Sequence, residues 1–210
     1  MPELHTIALF MAASVVLLVI PGPTIALVIA RSISDGRRVA LPLVLGVGVG
    51  DFVAASLALA GAGALLAASG AAFTIVKAIG AVYLIWLGVK LFRAEPKLPS
   101  FDTSMPEGRG FDAFCDGFLV TVFNPKGILF FIAFVPQFIT PDKSYFAQAA
   151  FFVVAFTLLG IVNGAFYALG VDALRGVIRS SRVLKRMNQA GGAVIAAAGV
   201  AALFTSRPSF

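Results

Sequence analysis

The sequence predicts an all-α membrane protein: six transmembrane helices arranged as two inverted three-helix repeats, with helices 1 and 4 broken. Three observations predict it. Of 210 residues, 60% are hydrophobic and 12% charged, with a mean hydropathy of +0.98. A soluble domain has about 45–50% apolar and about 25% charged residues. The apolar residues gather in long runs almost free of charge, and prolines interrupt two of those runs at matching places. The composition leaves too little polar surface for a soluble enzyme, a secreted disulfide scaffold or a disordered chain. A single Cys115 excludes an internal disulfide, a CxxC redox centre and a cysteine metal cluster. The lone His5, near the N-terminus, excludes a histidine metal site. The net charge of +6 reports how loops face the membrane and carries no nucleic-acid signal.

One crossing takes roughly 20 apolar residues. The first span runs from Leu4 to Ser32, the second from Val39 to Ala68 with only Asp51 charged, and the third from Ala71 to Phe92. The fourth runs from Phe114 to Ile139 and contains Asp116 and Lys126. The fifth (Tyr145 to Val171) and sixth (Gln189 to Thr205) are charge-free. The first span carries Glu3 rather than a basic leader, and it is longer than a signal-peptide core, so it reads as a membrane helix. The organisation is therefore a first repeat at 1–92, a linker at 93–112 and a second repeat at 113–210.

Orientation follows from Lys and Arg in the loops. Arg31, Arg37 and Arg38 follow span one; Lys90, Arg93, Lys97 and Arg109 follow span three; Arg175, Arg179, Arg182, Lys185 and Arg186 follow span five. The opposite side has only Lys77, Lys143 and Arg207. The odd-numbered loops are expected in the cytoplasm and both termini in the periplasm. The linker, with Pro96, Pro99 and Pro106, reads as solvated. Residues 172–188 set Leu174, Val177, Ile178 and Leu184 against arginines, as in a short interfacial helix; an ordinary basic loop fits equally well.

The breaks carry the functional signal. Span one holds Pro21-Gly22-Pro23 and span four Asn124-Pro125-Lys126. Proline removes a backbone donor and clashes with the preceding turn. Carbonyls freed at membrane depth must find protein partners or line a wet cavity. Aligning Leu17–Pro23 with Leu119–Pro125 superposes Pro23 on Pro125 and Leu27 on Leu129. Gly80, Gly88 and Val89 likewise align with Gly191, Gly199 and Val200. A repeated unit of three helices must re-enter the membrane from the opposite side. Interrupted helices at corresponding positions of such repeats mark a transport site. Half-helices restarting at Pro23 and Pro125 would aim free N–H groups inward, with Lys126 adding a full charge. That arrangement favours an anion such as a carboxylate.

Asp51 follows Gly46-Val47-Gly48-Val49-Gly50. Those glycines fail the spacing of a phosphate loop and suit close helix packing. A buried acid at this depth is costly unless protonated, paired or hydrated. It could pair with Lys126, bind a substrate amine or carry a coupling proton. Asp116 reads as interfacial or as the mouth of a pathway. Asn163 and Gln148 read as helix–helix hydrogen-bonding groups or substrate donors.

These residues resemble the LysE/RhtB-type amino-acid exporter family. The resemblance rests on Pro21-Gly22-Pro23, on Gly36, Gly46 and Gly50, and on Gly80-Ala81-Val82-Tyr83-Leu84-Ile85-Trp86-Leu87-Gly88. It continues through Gly117-Phe118-Leu119, Asn124-Pro125-Lys126-Gly127 and Pro136-Gln137-Phe138, and so covers essentially the whole chain. It implies a proton-driven exporter of neutral or basic amino acids in the bacterial inner membrane, dimeric at least in part. It also implies that Pro21, Gly22, Pro23, Asn124, Pro125 and Lys126 shape the substrate path, with Asp51 added from its depth. No cofactor is implied. A cation or metal exporter is the alternative, but it would need oxygen, sulfur or imidazole ligands that are scarce here. An intramembrane enzyme would need a nucleophile with a base or a metal, and no such set is seen.

Overall fold

The computed structural model describes residues 2–20, 22–95, 110–139, 143–178 and 180–204. Pro21, the linker residues Lys97, Pro99, Pro106 and Arg109, and Arg179 and Arg207 lie outside them. Among the described residues there are helices and no strands. The order is α1 (Leu4–Val19), α2 (Pro23–Ser34), α3 (Arg37–Ala68), α4 (Gly70–Arg93), α5 (Gly110–Val122), α6 (Pro125–Ala133), a 3-10 turn (Val135–Phe138), α7 (Tyr145–Ile178) and α8 (Ser181–Phe204).

Both expected breaks are present. α1 and α2 meet at 54°, α5 and α6 at 46°. Pro23 and Pro125 each occupy the first turn of the restarted helix, where no intrahelical N–H is needed. The corner between α2 and α3 falls at Gly36, whose φ of 73° suits a residue without a Cβ. Two helices, Arg37–Leu65 and Tyr145–Gly170, are long and apolar enough to cross a bilayer among the described residues; the number rises to four if each bent pair is one span.

The segment 172–188 is not a separate interfacial helix. Its first part continues α7 to Ile178 and its last part opens α8 at Ser181, eight residues ahead of the expected start of span six. The apolar periodicity of Leu174, Val177 and Ile178 simply extends the helix that precedes it. α5 likewise begins at Gly110, inside the expected linker.

Packing follows the small residues. α3 and α5 run parallel in close contact: a Cβ on Gly46 would strike the backbone of Phe114, one on Gly50 that of Phe118, and one on Gly117 that of Leu43. α3 and α7 run antiparallel, with Gly48 under Ile161 and Gly164 under Val44. The glycine run of span two thus serves two partners at once. α4 and α8 form the other antiparallel pair. Gly88 lies against Gly192 and Ala196, and Gly199 lies against Ala81 and Ile85. An offset of 111 residues, the one that aligns Gly88 with Gly199, exchanges these two sets of contacts.

Two core clusters result. One is rich in phenylalanine and includes Phe10, Phe130, Phe131, Phe134, Phe152 and Phe156. The other is mainly aliphatic and includes Ile25, Val28, Ile29, Leu43, Val44 and Val47. Large apolar side chains also stand exposed, as at Val154, Leu158, Val162, Phe166 and Leu169 along α7. Such a continuous stripe needs lipid or protein to cover it.

Candidate functional site

Both helix breaks open into one cavity between the two core clusters. Leu17, Ile20 and Phe156 line it from the phenylalanine side, Ile25 and Val47 from the aliphatic side. Its polar walls are Thr24, Asp51, Asn124, Lys126 and Asn163, with Gly22, Gly127 and Gly160 between them. The space is about 460 Å3 counting its open mouth, of which about 40 Å3 admits the centres of water-sized molecules. At about 10–15 Å3 of such volume per water, three or four waters fit. A larger solute requires the helices to part.

Each wall group is placed by its sequence. Asp51 is the central residue of the apolar stretch Arg37–Leu65 and so falls halfway along α3. Gly160 of α7 faces its Oδ2, and a Cβ there would collide with the carboxylate. Among the described residues Asp51 makes no hydrogen bond, and no cation lies within the 4.0 Å of an ion pair. The structural-pair reading of Asp51 with Lys126 is therefore not realised as a contact, although both residues line the same cavity.

Lys126 is engaged elsewhere. Its Nζ donates to the carbonyls of Leu17 at 2.6 Å and Ile20 at 3.2 Å. Asn163 Nδ2 donates to Leu18 O at 3.1 Å, and Tyr167 Oη to Val19 O at 2.9 Å. The severed end of α1 is thus capped by side chains of the second half. The other break is largely self-sufficient. Phe123 N donates to Leu119 O, Asn124 N to Thr121 O, and Asn124 Oδ1 accepts from Lys126 N. Asn124 Nδ2 reaches across to Thr24 Oγ1 at 3.3 Å, joining the two tips.

The tips consequently differ. Asn124 caps α6 with its side chain, whereas Gly22 offers α2 none. The α2 tip lies at Thr24 and Ile25 on the cavity wall with no side-chain cap of its own.

The sequence reading missed an ion-pair cluster. Arg31, counted as a loop charge, is 4% exposed and donates to Asp35 at 2.9 Å and to Asp116 at 2.7 Å. Asp116 thereby ties α5 to the end of α2. Only folding brings these positions together; the sole hint was an arginine four residues before an aspartate. Gly160 and Tyr167 also carried no signal of their own. Among the described residues no group of three or more His, Cys, Asp or Glu side chains could hold a metal.

Apolar helices, broken spans and a polar cavity define a helical membrane protein of the transporter class. The LysE type translocator model matches residues 15–206, and the chain belongs to that family. Membership makes it a membrane transporter of small molecules and not an enzyme. It is 32% identical over 201 residues (94% of this chain, 96% of the relative) to an uncharacterized membrane protein of Vibrio cholerae. It is 30% identical over 190 residues (90% and 92%) to a homoserine/homoserine lactone efflux protein of Salmonella typhimurium. The membrane protein YrhP of Bacillus subtilis, also uncharacterized, is 25% identical over 205 residues (94% and 98%). No solved structure matches.

Proposed function

We propose that the chain is a six-span secondary transporter that exports amino acids, of the neutral homoserine or threonine type or basic, across the bacterial inner membrane in exchange for protons. The observation that carries this reading is the shared cavity. Two broken helices meet there beside Asp51, an acid that pairs with no described residue, halfway along its span. In this reading the substrate ammonium faces Asp51 and its carboxylate the bare tip of α2 at Gly22, Thr24 and Ile25. Pro21, Pro23, Asn124, Pro125 and Lys126 shape the break around it. Asp51 takes up the coupling proton when substrate leaves. Homoserine and its lactone, named for the Salmonella relative, share the ammonium and differ at the carboxyl group. That pair supports giving the ammonium the charged partner.

Six spans in two repeats, 1–92 and 113–210 joined by a cytoplasmic linker at 93–112, are supported by helix direction. α3 and α5 run parallel, whereas α3 with α7 and α4 with α8 run antiparallel, as alternating crossings require. The exchange of contacts between α4 and α8 supports a two-fold relation of the halves. α4 and α8 have 24 residues each, about 36 Å at 1.5 Å per residue. The excess of Lys and Arg in the odd-numbered loops supports a cytoplasmic position for those loops and a periplasmic one for the termini. Association into a homodimer belongs to the same reading.

The test is amino-acid release from dipeptide-loaded cells that overproduce the chain. Accelerated release of one or a few amino acids is expected, abolished by Asp51→Asn at equal protein level. No accelerated release of any amino acid refutes export; normal release from the Asp51→Asn variant refutes the site.

A further inference from the structure

The carbonyls at the end of α1 carry a second inference. In an unbroken helix Leu17 O would accept from the N–H of residue 21, and Val19 O from that of residue 23. Both are prolines and have no N–H. The structure gives Val19 O a neutral hydroxyl and Leu18 O a neutral amide, but it gives Leu17 O and Ile20 O a single full positive charge. Among the described residues that ammonium has no carboxylate within 4.0 Å, and Asp51 is the acid that shares its cavity. A Cβ placed on Gly22 would come within 3.8 Å of Nζ, and glycine brings no side chain into that space. Two main-chain oxygens at the end of a broken helix, with Asp51 on the wall of the same small polar cavity, form a donor set for a hard monovalent cation.

We propose that the Lys126 ammonium is a tethered cation: it fills an alkali-cation site formed by the carbonyls of Leu17 and Ile20 beside Asp51, so this transporter works without sodium. The site is latent. Shortening Lys126 vacates it and leaves the carbonyl oxygens of Leu17 and Ile20 without their donor, in the cavity that Asp51 lines. Sodium is the ion of suitable size and hardness to take its place. The transport arm of the proposal rests on the export reading; the binding arm does not.

The test uses the purified full chain and sodium itself as the probe. Thermal unfolding is measured in sodium chloride and in choline chloride at equal ionic strength. The wild-type midpoint is expected to be the same in both. Lys126→Ala and Lys126→Ser are expected to melt lower in choline and to recover saturably with sodium, a response that Asp51→Asn in the same chain reduces. In proteoliposomes wild-type export is expected to be indifferent to sodium. Lys126→Ala export is expected to fall roughly tenfold or more in choline, as when a buried charge loses its counterpart, and to regain several-fold in sodium. Variants that melt identically in both salts overturn the proposal, as does wild-type export that requires sodium. If the wild type exports nothing while the variants still bind sodium, the export reading fails and the cation site stands.

Discussion

The two helix breaks sit 102 residues apart at equivalent positions, and they are repaired differently. Pro21 of the first aligns with Phe123 of the second. Phe123 keeps its N–H and returns it to Leu119 O. Pro21 has none to return, so Leu17 O takes the Lys126 ammonium. Gly22 aligns with Asn124, which caps its own helix where glycine cannot. The supporting helices differ too. α5 is seated on α3 through Gly46, Gly50 and Gly117, at backbone-to-backbone distance, while the end of α1 is held by three side chains from the other half. A backbone seat is rigid, whereas a side-chain clasp can open. The comparison teaches that the second break rests on a backbone platform, whereas the first is held by a clasp of side chains from the other half.

Attacking the platform gives the largest effect. Gly117→Leu drives a side chain into the Leu43 backbone and is expected to cost more than about 3 kcal/mol, as severe overpacking does. Thermal unfolding in detergent, with membrane yield, checks it. Loosening the clasp comes next. Tyr167→Phe leaves Val19 O without its donor at a cost of about 1–3 kcal/mol. The same measurement applies, and an unchanged midpoint would show that α1 is anchored by other means. Asn124→Ala removes a helix cap worth about 1 kcal/mol and the link to Thr24. Asn124→Asp keeps the cap and loses the amide donor, so its export rate against wild type reads the tip-to-tip bond, and its difference from Asn124→Ala reads the cap. The smallest effect on stability is expected from Pro21→Ala. It restores an N–H to Leu17 O, worth about 1 kcal/mol at most. Its export rate should fall nonetheless, because the first break would then resemble the second; an unimpaired rate would mean that the asymmetry has no functional weight.

Much of the fold was legible because the bilayer leaves few choices. Long apolar runs must be helices, and Pro23 and Pro125 could begin but not continue one. The ends of α7 and α8 were misjudged because arginines near Leu174 and Leu184 read as a surface element, while the backbone simply remained helical to Ile178 and again from Ser181. Of the site, Asp51, Asn124 and Lys126 were legible as polar groups at depth, and the cavity includes all three. Their partners were not. Lys126 reads as an anion ligand until Leu17 O and Ile20 O are found in front of it. Arg31 reads as a loop charge until α5 brings Asp116 to it.

The sequence by itself determined where backbone hydrogen bonds fail, since a missing proline N–H and the apolar length around it are local properties of the chain. Only the tertiary structure decided which group answers each failure. That choice depends on helices more than 100 residues apart in sequence coming to lie side by side, seated by glycines whose partners no local pattern names.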